Sequence, residues 1–318
     1  MSLGNVLLIG FGGIGAICAL NLETGGKATA TAVLRSNYEH VKAHCYSIKS
    51  IDHGDVEGFR PTVLRNSIPN ITKLPPYKYI ICTRKNYADI PPTVTELIRP
   101  AVIPGYPIIV LLQNGLNIEK PVIAAFPDTL VATRKILSRR RRRTLCWSIP
   151  ESHKETCGRR PCRWRILQRK LLHNASLNSI CAGTDLDTGR IQFADGALEN
   201  LVRPAMEEIQ AAAKACGHDL PAELVDFMIT MDPVTMYNLP STQVDLRKGR
   251  YCELENIVGR PLKEGKARGF PMNTLSVLYG ILESIQWRTK QKNGLVTIPK
   301  PEDHTVKELI LAIFRYKG

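Results

Sequence analysis

The sequence predicts an α/β chain with a doubly wound N-terminal domain followed by an all-helical C-terminal domain. Three observations predict it. Asn5-Val-Leu-Leu-Ile-Gly10-Phe-Gly12-Gly13-Ile14-Gly15 runs a short apolar stretch into a glycine turn, with a helical pattern behind it. Further apolar runs at 27–34, 77–83 and 108–112 each end in polar residues, as buried parallel strands do where ligands meet their carboxyl ends. Past about residue 169 such runs become rare and helical periodicity takes over. A chain of 318 residues exceeds one ordinary core. The expected division is a Rossmann-type domain over 1–165 and a helical domain over 166–318.

The glycine turn comes first. Gly10, Gly12 and Gly15 have the G-x-G-x-x-G spacing, in the strand–turn–helix setting that gives it meaning. Gly10 suits the tight turn, Gly12 lets a pyrophosphate approach the backbone, and Gly15 lets the helix pack on the strand. The helix start, through Gly13 and Ile14, offers unpaired N–H groups and a positive dipole end. These five residues are the expected phosphate cradle.

The second strand, 27–34, ends in Arg35-Ser36-Asn37, where an acid would hold ribose hydroxyls. A guanidinium forks onto phosphate, so Arg35 favours the 2′-phosphate of NADP. The plainer reading is a surface arginine. Residues 39–75 read as irregular, with short strands. The strand at 77–83 ends in Arg84-Lys85-Asn86, which places Lys85 by the cofactor or leaves it a solvated loop lysine. Pro91 to Ile98 reads as a helix with proline at its start. The strand at 108–112 closes in Gln113-Asn114-Gly115, so Asn114 is a strand-end candidate or a plain turn residue.

In the second half, 169–181 reads as a helix on which Lys170, Asn174 and Asn178 form one i, i+4, i+8 stripe. One cation and two amides can hold an oxyacid and polarise a carbonyl, and asparagine is a poor choice for a merely solvated face. Ala197 to Cys216 reads as a long amphipathic helix capped by Gly217, and Asn273 to Trp287 as another helix. Glu253 lies one turn before Asn256, and on pattern alone it reads as a surface acid.

Composition excludes several classes. No apolar run reaches the roughly 18 residues of a membrane helix. With the first strand read from Asn5, a cleaved leader is not expected. Nine scattered cysteines, among them Cys18, Cys82 and Cys181 in apolar runs, suit reduced thiols and a cytoplasmic setting. The net charge of +14 is local, because residues 134–169 alone carry +11. A nucleic-acid partner is therefore not expected. Arg139 to Arg143 form an unbroken basic run, and Cys146, His153, Cys157 and Cys162 fit no usual zinc spacing. A solvated loop is the favoured reading of this segment.

Several pieces together resemble the ketopantoate reductases (2-dehydropantoate 2-reductases), especially fungal members. They are Gly10–Gly15, Val33 to Asn37, Thr83 to Asn86, Leu112 to Asn117, Lys170 to Asn178, Pro240-Ser241 and Glu253 to Gly259. The resemblance implies NADPH-dependent reduction of 2-dehydropantoate or a similar small 2-oxo acid to the 2-hydroxy acid, within pantothenate biosynthesis. It implies Lys170 as general acid and Glu253 as the acid that orients substrate and pairs with that lysine. Asn174, Asn178 and Ser241 would hold the substrate, and Lys85 and Asn114 would sit at the cofactor–substrate junction. No metal is needed, and a homodimer fits. Residues 134–169 depart from the pattern and are shorter than the family has here. Their abrupt change of composition suggests a misjoined or frame-shifted coding region. The alternatives are a catalytically impaired nucleotide-binding relative and, behind it, a basic interaction protein.

Overall fold

A computed structural model describes residues 4–26, 28–50, 53–133 and 170–298. The N-terminal half is built on a parallel sheet of strands β1 (Gly4–Ile9), β2 (Ala28–Val33), β5 (Val63–Arg65), β6 (Tyr79–Cys82), β7 (Ile108–Leu111) and β8 (Val131–Thr133). Their spatial order is β5-β2-β1-β6-β7-β8. The chain therefore winds outward from β1 on one side, then returns to β6 on the other. The order reverses between β1 and β6, where open α/β sheets take their ligands. Val6 and Leu8 pack with Ala30 and Ile81 on one face. Leu7 and Ile9 pack with Ile80 and Ile109 on the other. Period-two alternation thus feeds two cores from one continuous apolar run.

Helix α1 (Gly13–Thr24) follows β1 directly. Three local expectations need correction. The stretch 39–75 holds the short strands expected of it, but also an unexpected helix. It holds helix α2 (Tyr38–His44), an antiparallel hairpin of β3 (Tyr46–Ser50) and β4 (Gly54–Phe59), and then β5. Polar, histidine-rich α2 buries Val41 and little else, so its apolar signal is faint. Helix α3 is Val94–Ile98 and does not begin at Pro91. Its start is set by Thr93, whose hydroxyl accepts the Glu96 N–H while the Glu96 carboxylate accepts the Thr93 N–H. The helix expected over 169–181 breaks at Ser176 into a segment at 170–175 and α5 (Leu177–Thr184). Helix α4 (Lys120–Ala125) lies between β7 and β8.

The C-terminal half is helical. It contains α6 (Arg203–Ala215), entered through a π-helical turn at Leu198–Val202, then α7 (Leu224–Thr230) and α8 (Ser241–Arg247). A second π-helical turn, Glu255–Gly259, leads into α9 (Arg260–Lys266), and α10 (Asn273–Lys292) is the last of the described helices. The long amphipathic helix ends as expected, with Gly217 at φ +78°. One core joins Leu172, Leu177, Met206, Leu224, Leu275 and Leu282. Segment 134–169, with its arginine run and the expected boundary at 165, lies outside the described residues. None of the described helices is long and apolar enough to cross a membrane.

Candidate active site

At the glycine turn, backbone sterics decide the residue types. Gly10 has φ +95°, and a Cβ there would lie 2.6 Å from the Arg84 nitrogen. A Cβ on Gly15 would lie 2.2 Å from the Gly10 carbonyl oxygen, so this close approach of helix to strand requires glycine. Gly12 and Gly13 are different, because a Cβ at either meets nothing within 4 Å. Two glycines thus build the turn, and two leave open space before the N-terminus of α1. Ile14 is exposed beside them. Thr83 Oγ1 donates to the Gly10 carbonyl at 2.6 Å and ties the turn to β6.

Arg35 and Arg84 follow β2 and β6, the two strands that flank β1. Arg35 is exposed and Arg84 half-buried. Burial lowers the Arg84 pKa, and the like charge of Arg35 lowers it further. Two guanidiniums beside an open glycine turn make an anion-receptive corner.

The second cluster lies where the loops after β6 and β7 meet the turn at 253–260. Glu253 is 4% exposed, so the surface reading is overturned. Its Oε1 accepts the Asn86 N–H at 2.8 Å, and its Oε2 accepts from Asn114 Nδ2 at 3.3 Å. Lys85 Nζ stands 3.7 Å from Glu253 Oε2 and 2.8 Å from Asp245 Oδ2. Burial raises the Glu253 pKa against the pull of Lys85, Asn86 and Asn114. Burial lowers the Lys85 pKa, but Glu253 and Asp245 outweigh it and the net direction is up.

The two halves are sewn together here. Asn256 Nδ2 donates to the Asn86 carbonyl at 2.7 Å, and the Asn256 carbonyl accepts the Leu116 N–H at 2.8 Å. Gly115, at φ +117°, is required because its Cβ would fall 2.5 Å from the Asn256 Cβ. Arg260 Nη1 donates to the carbonyls of Leu116 and Asn117. Asn114 is thus more than a plain turn residue, since its neighbour is pressed against the other domain. The π-turn supplies the bend that aims Asn256 here, as such turns often do at functional sites.

Lys170 opens the helical segment at 170–175. Burial lowers its pKa, Glu253 acts in the opposite sense, and Lys85 lowers it again. Glu253 is ion-paired with Lys85, and the same carboxylate also raises the Lys170 pKa. Asn178 Nδ2 donates to Asn174 Oδ1 at 2.9 Å, so the stripe survives the break at Ser176. Ser241 is the exposed first residue of α8, which packs against α5.

The structure thus brings Lys85, Asn114 and Glu253 together with Lys170 in their field, and pairs Asn174 with Asn178. Arg35 stands apart with the glycine turn. Sequence reading missed Arg84, Asn86, Gln113, Asp245 and Asn256. Gln113 accepts from Asn86 Nδ2 at 3.2 Å and donates to the Arg84 carbonyl at 2.8 Å. Asp245 carried a usable signal, four residues after Ser241 on one helix face. Arg84, Asn86 and Gln113 are polar residues in loops and Asn256 lies in the π-helical turn, and only the fold shows what they face.

A parallel sheet with a glycine turn at its reversal point, closed by a helical domain that brings a lysine and a buried acid, defines the class of two-domain α/β oxidoreductases. The pattern of ketopantoate reductase (PanE/ApbA) matches residues 6–140, and that of its C-terminal domain matches 163–286. The chain belongs to the ketopantoate reductase family. It is 29% identical to an uncharacterized protein of Saccharomyces cerevisiae over 92% of this chain and 97% of that one. The 2-dehydropantoate 2-reductase of Methylococcus capsulatus is similar at 26% identity and TM-score 0.68, over 90% of this chain and 97% of that one. A D-mandelate dehydrogenase solved with NADH and anilino(oxo)acetate shares the fold at 16% identity and TM-score 0.69, over 90% and 99%.

Proposed function

We propose that this chain reduces a small 2-oxo acid to the 2-hydroxy acid with NADPH, with 2-dehydropantoate the leading substrate. The observation that carries this is the meeting of Lys170, Lys85 and Glu253 in one electrostatic field at the carboxyl edge of the sheet.

The residues present fit a dinucleotide. Gly12 and Gly13 face open space at a helix start, as a pyrophosphate cradle requires. Arg35, with Arg84 beside it, suits a 2′-phosphate. A bound NADPH supplies the hydride. The chain supplies the rest. Lys170 is the general acid: its ammonium polarises the ketone oxygen and protonates it as charge develops. The lowered pKa of Lys170 makes it a readier acid than an ordinary lysine. Glu253 keeps Lys170 protonated against Lys85 and burial, and it orients the substrate. Asn174, Asn178 and Ser241 hold the carboxylate and hydroxyl of the substrate. Lys85 and Asn114 stand where cofactor and substrate meet.

The test is a fluorescence titration of the purified chain with NADPH, followed by NADPH consumption with ketopantoate. Saturable binding and consumption support the reading. Binding without consumption by any 2-oxo acid identifies a catalytically impaired relative. No binding overturns the proposal.

A further inference from the structure

Gln286 lies on α10, on the stripe that Leu275, Leu278 and Leu282 bury, and is itself 1% exposed. A buried primary amide is costly unless both of its ends are paired. Here they are. Oε1 accepts the Cys252 N–H at 2.9 Å and the Cys252 thiol at 3.2 Å. Nε2 donates to Asp89 Oδ2 at 3.0 Å. The neighbours force this orientation, because a backbone N–H only donates and a carboxylate only accepts. One turn along α10, Lys290 Nζ reaches the same Asp89 oxygen at 2.9 Å.

The two groups that Gln286 holds are both next to the site. Cys252 precedes Glu253, and Asp89 lies four residues past Lys85 in the loop that also carries Asn86. Beside this link, the rings of Tyr87 and Tyr251 meet edge to face at 5.9 Å. A single side chain far along the last described helix therefore spans both strips of backbone that bear the site.

We propose that Gln286 is a positioning residue: by clasping Asp89 and Cys252 to one amide, it sets the separation of Lys85 and Glu253. The proposal rests on the reading of those two residues as site groups. It also explains why an amide follows three leucines on a buried stripe. An acceptor is needed at one end and a donor at the other. Glutamate keeps the acceptor but sets a second carboxylate against Asp89. Methionine fills the space and gives up both bonds.

The Asn86 N–H reports on the clasp without any turnover, because it donates to Glu253 Oε1. In Gln286→Met, hydrogen exchange at Asn86 should quicken. The kcat should fall about tenfold, as small misplacements of reacting groups do, with NADPH affinity held. Gln286→Glu should lose more. Gln286→Glu combined with Asp89→Asn should recover most of that loss, since donor and acceptor have traded places. Unchanged Asn86 exchange in folded Gln286→Met overturns the proposal, as does a double variant no better than Gln286→Glu. A wild-type chain that reduces no 2-oxo acid, yet whose Asn86 exchange still answers to Gln286, sinks the catalytic reading and leaves the clasp standing.

Discussion

The glycine turn and the Glu253 seam lie at the same edge of the sheet but are made of different material. The turn is backbone: Gly10 and Gly15 exist to avoid a collision, and Gly12 and Gly13 leave room. The seam is side chain. Glu253, Lys85, Asp245, Asn86, Asn114 and Asn256 hold one another across more than a hundred residues of sequence. The difference teaches that a site built from backbone can be read from local spacing. A site built from long-range polar pairs is legible only in part, through residues that break a local pattern.

Experiments can sharpen or break this contrast. The largest effect is expected at Lys170. Lys170→Ala should lower kcat by about 10²- to 10⁴-fold, the usual worth of a positioned general acid. NADPH titration should be unchanged, since the turn lies in the other half. A variant as fast as the parent removes the seam from catalysis.

Glu253→Gln is next. It keeps an acceptor for the Asn86 N–H but discards the charge. Glu253 raises the Lys170 pKa, so its loss should let that pKa fall further. The alkaline limb of kcat/KM, expected below that of an ordinary lysine because burial lowers the Lys170 pKa, should move further toward neutral pH, with a rate loss of about tenfold or more. A limb that stays in place shows that the two groups do not communicate.

The glycines separate structure from ligand. Alanine is ordinarily the better helix former by about 1 kcal/mol. At Gly15 its Cβ would lie 2.2 Å from a backbone oxygen, and overpacking of that kind costs about 1–3 kcal/mol. Gly15→Ala should therefore lower the urea midpoint. Gly12→Ala should leave the midpoint alone and weaken NADPH binding. Equal effects on both quantities would erase the distinction between the two kinds of glycine.

The smallest effect is a control. Thr93→Ala removes the cap of α3 and should cost about 1 kcal/mol in urea, with kcat untouched. A change in kcat would mean that the N-terminal half transmits strain to the seam.

The legibility of the sequence follows the same division. The strands at 5–9, 77–83 and 108–112 were plain because both faces are buried and the apolar run is unbroken. Helix α2 was not, because a short polar helix with Val41 as its sole buried residue leaves no period to see. The start of α3 lies past the prolines at 91 and 92 because Thr93 and Glu96, a capping pair visible in the sequence, set it. Lys170, Asn174 and Asn178 could be found by helical spacing. Asn86 could not, because its contribution to Glu253 is a backbone N–H that any residue carries.

The cysteines around the site have a practical consequence. Cys82 ends β6 just ahead of Arg84 and Lys85, and Cys252 adjoins Glu253; burial pushes both thiols up to about 12. Neither presents a thiolate to a reagent at neutral pH. Cys45, partly exposed and following helix α2 in the N-terminal half, is a better handle among the described residues. A dye attached there labels the N-terminal half without touching Lys85 or Glu253.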